Sequence, residues 1–245
     1  MMSNIGSIAT MFHFPQSTLE TSRAVILAAG LGTRLKSYTE HKPKALMSIA
    51  DEPAIVRVIR SLVAQGIHDI AINLHHHADL IQNTLGNGNH LNANLYYSYE
   101  SSLLDSGGGV RTALDLLPQG EAVVVHNVDI LSDIDVKALA SHCPEDGSAL
   151  ALVHNPKHNQ EGDFSLVQGR VSAKQNPSLT FSGVSVWDES VLRTYPSKQT
   201  FSLIKPIQQT MADNSCAGVL HQGFWFDIGR PHDLIQANRF YREVY

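Results

Sequence analysis

The chain has 245 residues, 43% of them hydrophobic and 17% charged, with a net charge of −5 at pH 7; this is an ordinary folded-protein composition, long enough for one large domain or two small ones. The acidic balance excludes bulk binding to nucleic acid, and no apolar run approaches the length of a membrane span. The two cysteines, Cys143 and Cys216, form no metal or redox motif, which suits a reduced cytoplasmic setting.

Residues 1–21 are polar, mixed and without clear period. They lack the basic start and long apolar stretch of a signal peptide. They read as a flexible or loosely docked extension, on which Phe12 and Phe14 either pack on the body or do nothing. The body, 22–245, then alternates strands and helices. Residues 24–28 are a buried strand candidate. Ile55, Val58, Ile59, Leu62 and Val63 share one helical face, and Gly66 can cap that helix. A strand follows over 69–74 and a helix over 78–85, before Gly86-Asn87-Gly88 breaks the chain. A strand over 95–99 and a helix over 109–117 come next. Residues 122–126 are a strongly apolar strand. A helix is expected over 135–142, with Ser132 or Asp133 as its cap, and Asp133 and Asp135 read as caps rather than ligands.

The second half is richer in strands, expected over 149–153, 164–167 and 179–186. A helix runs from about 203 to 212, a late strand ends at 225–228, and 231–241 make a closing helix with proline near its start. Repeated strand–helix units imply an α/β fold with a mostly parallel sheet and helices on both faces. Ligands of such sheets bind beyond the carboxyl ends of the strands.

The most informative stretch is 27–46, LAAGLGTRLKSYTEHKPKAL. An apolar strand ends there, and Gly30 and Gly32 allow a tight turn whose amides can approach phosphate oxygens. Thr33 and Arg34 follow at once, and Lys44 comes ten residues after Arg34 in Lys42-Pro43-Lys44. Two fixed cations beside a glycine turn suit a triphosphate and the charge that develops when it is split. The dinucleotide fingerprint fails, because Leu35 stands where its third glycine belongs, and the Walker A ending is absent.

Two carboxylates complete the pattern. Asp129 follows the apolar strand at Asn127-Val128-Asp129, where a strand-end carboxylate suits Mg²⁺ or caps the following turn. Asp227 is polar within Phe224-Trp225-Phe226-Asp227-Ile228-Gly229, and a lone buried carboxylate is costly unless a metal offsets it. Asp105-Ser106-Gly107-Gly108-Gly109 opens a helix with no side chain at three positions. His75-His76-His77 reads as a polar helix entry, since adjacent histidines cannot all face one ion.

Gly-x-Gly-Thr-Arg-Leu, a short spacer and Pro-Lys-Ala-Leu resemble the signature of the sugar-1-phosphate nucleotidyltransferases, and the resemblance covers roughly 23–243. It implies a Rossmann-like three-layer fold with a mostly parallel mixed sheet in one domain. It implies one Mg²⁺ held by Asp129 and Asp227, with Arg34 and Lys44 as catalytic cations. Ala29, Gly30, Gly32, Thr33, Arg34, Lys44, Asn73, Gly107, Gly108 and Asn127 are then expected on the nucleotide. Asn73 either meets the base or satisfies a loop. Val128 stands where the family has a glycine; its side chain can narrow the crevice but leaves the Asp129 carboxylate in place.

Asn155-Pro156 with Gly162-Asp163-Phe164, Thr180-Phe181-Ser182-Gly183, and Phe201-x-Leu-x-Lys-Pro resemble a narrower subgroup, the N-acetylmuramate α-1-phosphate uridylyltransferases of cell-wall sugar recycling. That resemblance implies UTP and a sugar 1-phosphate as partners, with Asn155, Asp163, Gly183 and Lys205 on the sugar side. As plain residues, Asn155-Pro156 is a turn and Gly183 a close-packing position. Other acceptors or nucleotides, phosphocholine among them, stay open, as does a nucleotide-sugar sensor without turnover. The presence of both cations and both aspartates argues for an enzyme, monomeric or homodimeric, without nucleic-acid or membrane partners.

Overall fold

The computed structural model describes residues 21–32, 34–35 and 42–244. The expected extension, with Phe12 and Phe14, therefore lies outside the described residues apart from Thr21. In chain order the strands are β1 (Arg23–Leu27), β2 (Ser48–Ile49), β3 (Glu52–Pro53), β4 (Asp69–Leu74), β5 (Asn94–Tyr99), β6 (Ala122–Asn127) and β7 (Ile130–Ser132). They continue as β8 (Ser148–Val153), β9 (Phe164–Val167), β10 (Arg170–Ala173), β11 (Thr180–Asp188), β12 (Cys216–Leu220) and β13 (Trp225–Asp227). The helices are α1 (Ala54–Ala64), α2 (Ala78–Leu85), α3 (Asp105–Leu114), α4 (Val136–Ala140), α5 (Glu189–Arg193), α6 (Ile204–Ala212) and α7 (Pro231–Val244).

Nine strands form the central sheet in the order β5-β4-β1-β6-β11-β8-β12-β10-β9. β11 runs antiparallel to β6 and β8, and β10 antiparallel to β12 and β9, so these two oppose the other seven of the nine. The sheet is mixed and mostly parallel, as expected. β1 is buried along four successive residues because helices cover both of its faces. Ala24 and Ile26 pack toward the α1, α2, α4 and α7 layer. Val25 packs the other way, against Val110 and Leu114 of α3, Leu192 of α5 and Ile207 of α6. The period-2 alternation of one strand thus feeds two helical layers.

Several boundaries differ from the sequence expectation. α3 begins at Asp105 rather than 109 and absorbs all three glycines. The cap of α4 is Asp135, one of the two aspartates read as caps, whose carboxylate accepts from the Ala138 amide at 2.8 Å; neither Ser132 nor Asp133 fills that place. Ser132 instead ends β7, whose partner strand is β13. β7, β10, β12 and α5 are three to five residues long, too short for periodicity to register. Gly66 closes α1 as expected, at φ +80° with its amide on the Val63 carbonyl at 2.9 Å.

At the amino end of β1, Arg23 is 2% exposed and lies 2.6 Å from Glu189. Arg23 also donates to the carbonyls of Pro118 and Ala122, at 2.5 and 3.0 Å. This pair ties the first strand to the β11–α5 corner, at the end of the sheet opposite to the carboxyl ends. Glu189→Ala strands a buried guanidinium and is expected to cost about 3 kcal/mol, read as a lower urea midpoint with unchanged slope and unchanged turnover.

Candidate active site

Parallel register sets the base of the site. Leu27 of β1 lies level with Asn73 of β4 on one side and Asn127 of β6 on the other. Three strands therefore end in one row, and the chain leaving β1 turns across it. Asn73 holds that turn: its side-chain oxygen accepts from the amides of Ala28 at 2.7 Å and Ala29 at 3.3 Å. Its Nδ2 donates to Glu100 Oε1 at 2.7 Å, and Glu100 Oε2 accepts from the Leu104 amide at 2.9 Å. Both side chains are nearly sealed from water, with Asn73 3% and Glu100 7% exposed. The amide oxygen of Asn73 is thus engaged by backbone, so its part in the site is to shape the turn.

Above this row lies a cleft of about 520 Å³. The sequence-expected residues Ala29, Gly30, Arg34, Lys44, Asn73, Asn127 and Asp129 line it. So do Asp105 and Ser106 of the glycine-rich segment, and Glu100, Leu103 and Thr200, which sequence reasoning did not single out. Gly32 has φ +63°, the left-handed turn that its position called for. Thr33 lies outside the described residues.

Close packing constrains the glycines of α3. A Cβ on Gly107 would fall 2.5 Å from the Phe201 ring, and one on Gly108 2.0 Å from the Gln199 carbonyl oxygen. A Cβ on Gly109 would fall 2.5 Å from Asn73 Nδ2. Gly107 and Gly108 are buried and do not line the cleft. Close protein packing accounts for glycine there, and it is Asp105 and Ser106 that reach the cleft wall.

The carboxylates meet where the short β7–β13 ladder places Asp227 opposite Ile130, one residue beyond Asp129. The Ile228 amide also bonds to the Asp129 carbonyl at 2.9 Å. A Cβ on Gly229 would lie 2.8 Å from Asp227 Oδ1 and 3.3 Å from Asp129 Oδ2, so both carboxylates crowd one glycine. Lys44 Nζ sits 2.5 Å from Asp129 Oδ2. Arg34 and His158 stand 3.9 and 3.7 Å from Asp227 Oδ2. Burial, and then the charge of Asp129, raise the Asp227 pKa above the usual carboxylate value; the Gly229 amide, Arg34 and Lys44 pull it back. A partly buried oxygen pair that repels itself fits a hard dication, with water and phosphate filling the remaining places. Val128 is 2% exposed and belongs to the core, so it does not narrow the crevice.

A second cleft of about 360 Å³ opens on the other side of Asp227, lined by Lys157, His158, Trp225 and Arg230 among others. The residues expected on the sugar side line neither cleft. Asn155 accepts from Thr180 Oγ1 at 3.0 Å and donates to the Gln160 and Ser178 carbonyls at 3.1 and 3.2 Å. Asp163 accepts from Asn159 Nδ2 at 3.0 Å and from the Phe181 amide at 2.9 Å. These bonds brace the loop that carries Lys157 and His158. Gly183, at φ +86°, makes room for Asn127, whose Nδ2 would lie 2.8 Å from an added Cβ. Lys205 is on α6 with its ammonium 5.4 Å from the Tyr195 ring centre. Glu100, Lys157, His158 and Arg230 were missed because each is a single polar residue with no fixed spacing to a motif.

Comparison with known proteins agrees with this geometry. The Nucleotidyl transferase family model matches residues 23–244. An N-acetylmuramate alpha-1-phosphate uridylyltransferase of Neisseria meningitidis is 37% identical, over 88% of this chain and 96% of that protein. A mannose-1-phosphate guanyltransferase of Hypocrea jecorina is 26% identical, over 89% of this chain and 64% of its own length. The structure of a putative glucose-1-phosphate thymidylyltransferase from Bacillus anthracis shares the fold, with TM-score 0.80, 19% identity, and coverage of 92% of this chain and 97% of that one. The chain belongs to the nucleotidyl transferase family and is an enzyme, a sugar-1-phosphate nucleotidyltransferase.

Proposed function

We propose that the chain transfers a uridylyl group from UTP to N-acetylmuramate 1-phosphate, giving the nucleotide sugar and pyrophosphate. The observation that carries the chemistry is the meeting of Asp129 and Asp227 between two clefts. The larger cleft suits the nucleotide and the smaller one the acceptor. The choice of substrates draws on the relative from Neisseria meningitidis, which matches over nearly its whole length, whereas the chain spans 64% of the guanyltransferase. That guanyltransferase supports a second reading, GTP with a hexose 1-phosphate.

An acceptor phosphate oxygen attacks the α-phosphorus, forming a new P–O bond as the bond to pyrophosphate breaks. The acceptor phosphate is already ionised near neutral pH, so no general base is needed and the protein supplies position and charge. Mg²⁺ held by Asp129 and Asp227 would neutralise phosphate charge there. Lys44 turns from Asp129 toward the α-phosphate, and Arg34 holds the departing pyrophosphate with the amides of Gly32 and Thr33. Gly30 leaves the approach open, since among the described residues nothing lies within 4 Å of a Cβ placed on it. Asn73 and Glu100 keep the turn rigid beneath the nucleotide, and Asn127 stands beside the acid pair. The enzyme would act in the cytoplasm, in cell-wall sugar recycling, as one catalytic domain over 22–245 in a monomer or homodimer. Among the described residues no helix is long and apolar enough to cross a membrane.

Asp129→Asn and Asp227→Asn should each lower turnover at least ~100-fold while leaving the circular dichroism spectrum in place. Near-normal rates in both would remove the metal assignment. Mg²⁺ should raise the melting temperature of the wild type by linkage, and raise that of Asp227→Asn much less. For substrates, pyrophosphate release would be measured for each nucleoside triphosphate against a panel of sugar 1-phosphates and phosphocholine. Release with UTP and N-acetylmuramate 1-phosphate alone is expected; release with GTP and a hexose 1-phosphate alone would establish the second reading.

A further inference from the structure

The smaller cleft holds positive charge that the reaction at the acid pair does not use. Its fixed cations are Lys157 and Arg230; His158, His232, Asp227 and Asp233 also line it. Neither acid is engaged by these cations: Asp233 lies 3.3 Å from His232 Nδ1, and Asp227 lies 3.7 Å from His158 Nε2. Among the described residues, the ion pairs of this cleft leave Lys157 and Arg230 without an acidic partner. Arg230 shows more. Its Nε is buried and has no hydrogen-bond partner. A buried guanidinium donor is costly to leave unmade, and here it belongs to a side chain on the wall of an open cleft.

The phosphate that reacts must lie at the acid pair, with Arg34 and Lys44 on the other side. Arg230 and Lys157 line only the smaller cleft, so they suit a second anion carried by the same acceptor. The planar donor fork of arginine matches a carboxylate, which it can hold by two parallel bonds. Trp225, Phe226 and Pro156 supply an apolar wall for the ring that joins the two anions. The bonds of Asn155, Asn159 and Asp163 hold the loop that presents Lys157.

We propose that Arg230 and Lys157 form a specificity subsite that takes a carboxylate carried by the acceptor sugar, separate from the reacting phosphate. This rests on the reading of the acceptor as a sugar 1-phosphate.

The test compares N-acetylmuramate 1-phosphate with N-acetylglucosamine 1-phosphate, the same sugar without the lactyl carboxylate. For each, kcat/KM is measured in the wild type, Arg230→Gln and Lys157→Gln. The wild type should prefer the carboxylated acceptor, and each variant should lower the ratio of the two kcat/KM values by about tenfold or more. An unchanged ratio in both variants, or a wild type indifferent to the carboxylate, overturns the subsite. If Arg230→Gln does not fold, Lys157→Gln decides, because Lys157 is exposed on its loop. Turnover of phosphocholine with neither sugar phosphate used would overturn the sugar reading itself, and the subsite with it.

Discussion

Two carboxylates brought into one partly buried corner repel each other, and the arrangement of this protein follows from how that repulsion is managed. Asp129 comes from the end of a central strand and Asp227 from a late tripeptide, joined by the β7–β13 ladder. Glycine at 229 leaves room for both oxygens, which an added Cβ would approach to 2.8 and 3.3 Å. Lys44 sits against Asp129, while Arg34 and His158 stand at longer range from Asp227. Lys44 and Arg34 thus each face an acid, yet burial and the charge of Asp129 still hold the Asp227 carboxyl above its ordinary pKa. Such a corner favours whatever brings further positive charge, and it lies where the two clefts meet.

The floor beneath it is made rigid by buried polar bonds. Asn73 and Glu100 join the turn after β1 to the entry of α3 through bonds of 2.7 to 3.3 Å. Gly109 must lack a side chain for this pair to fit, and Gly107 and Gly108 must lack one for the 199–201 segment to close down. The glycine run is therefore a packing device that places Asp105, Ser106 and Thr200 on the cleft wall. Buried polar groups satisfied in this way resist displacement, because breaking one bond leaves its partner unpaired in a water-poor place.

The strands and helices of the parallel half were legible because burial on both faces makes unbroken apolar runs. β4 over Asp69–Leu74 and α2 over Ala78–Leu85 agree with the sequence expectation at both ends. The elements that escaped notice, β7, β10, β12 and α5, are short and owe their state to partners distant in the chain. β12, for example, is a strand because β8 and β10 flank it. The residues that meet at the candidate site were legible where chemistry concentrates into fixed spacing, at Gly30, Arg34, Lys44, Asp129 and Asp227. Elsewhere the expected residues make contacts within the protein that no motif announces. Asn155 and Asp163 brace a loop, Lys205 lies over Tyr195, and Val128 turns into the core.

By itself the sequence determined the alternation of elements, the glycine turn with its cations, and the two aspartates, since these depend on local pattern and on residue chemistry. Tertiary structure alone decided which side chains share a space. It set Glu100 under Asn73, filled the room beside the α3 glycines with Gln199 and Phe201, and put Arg230 beside Lys157 in a cleft past Asp227. Such pairings join residues far apart in the chain through sheet order and strand register, and no local pattern encodes them.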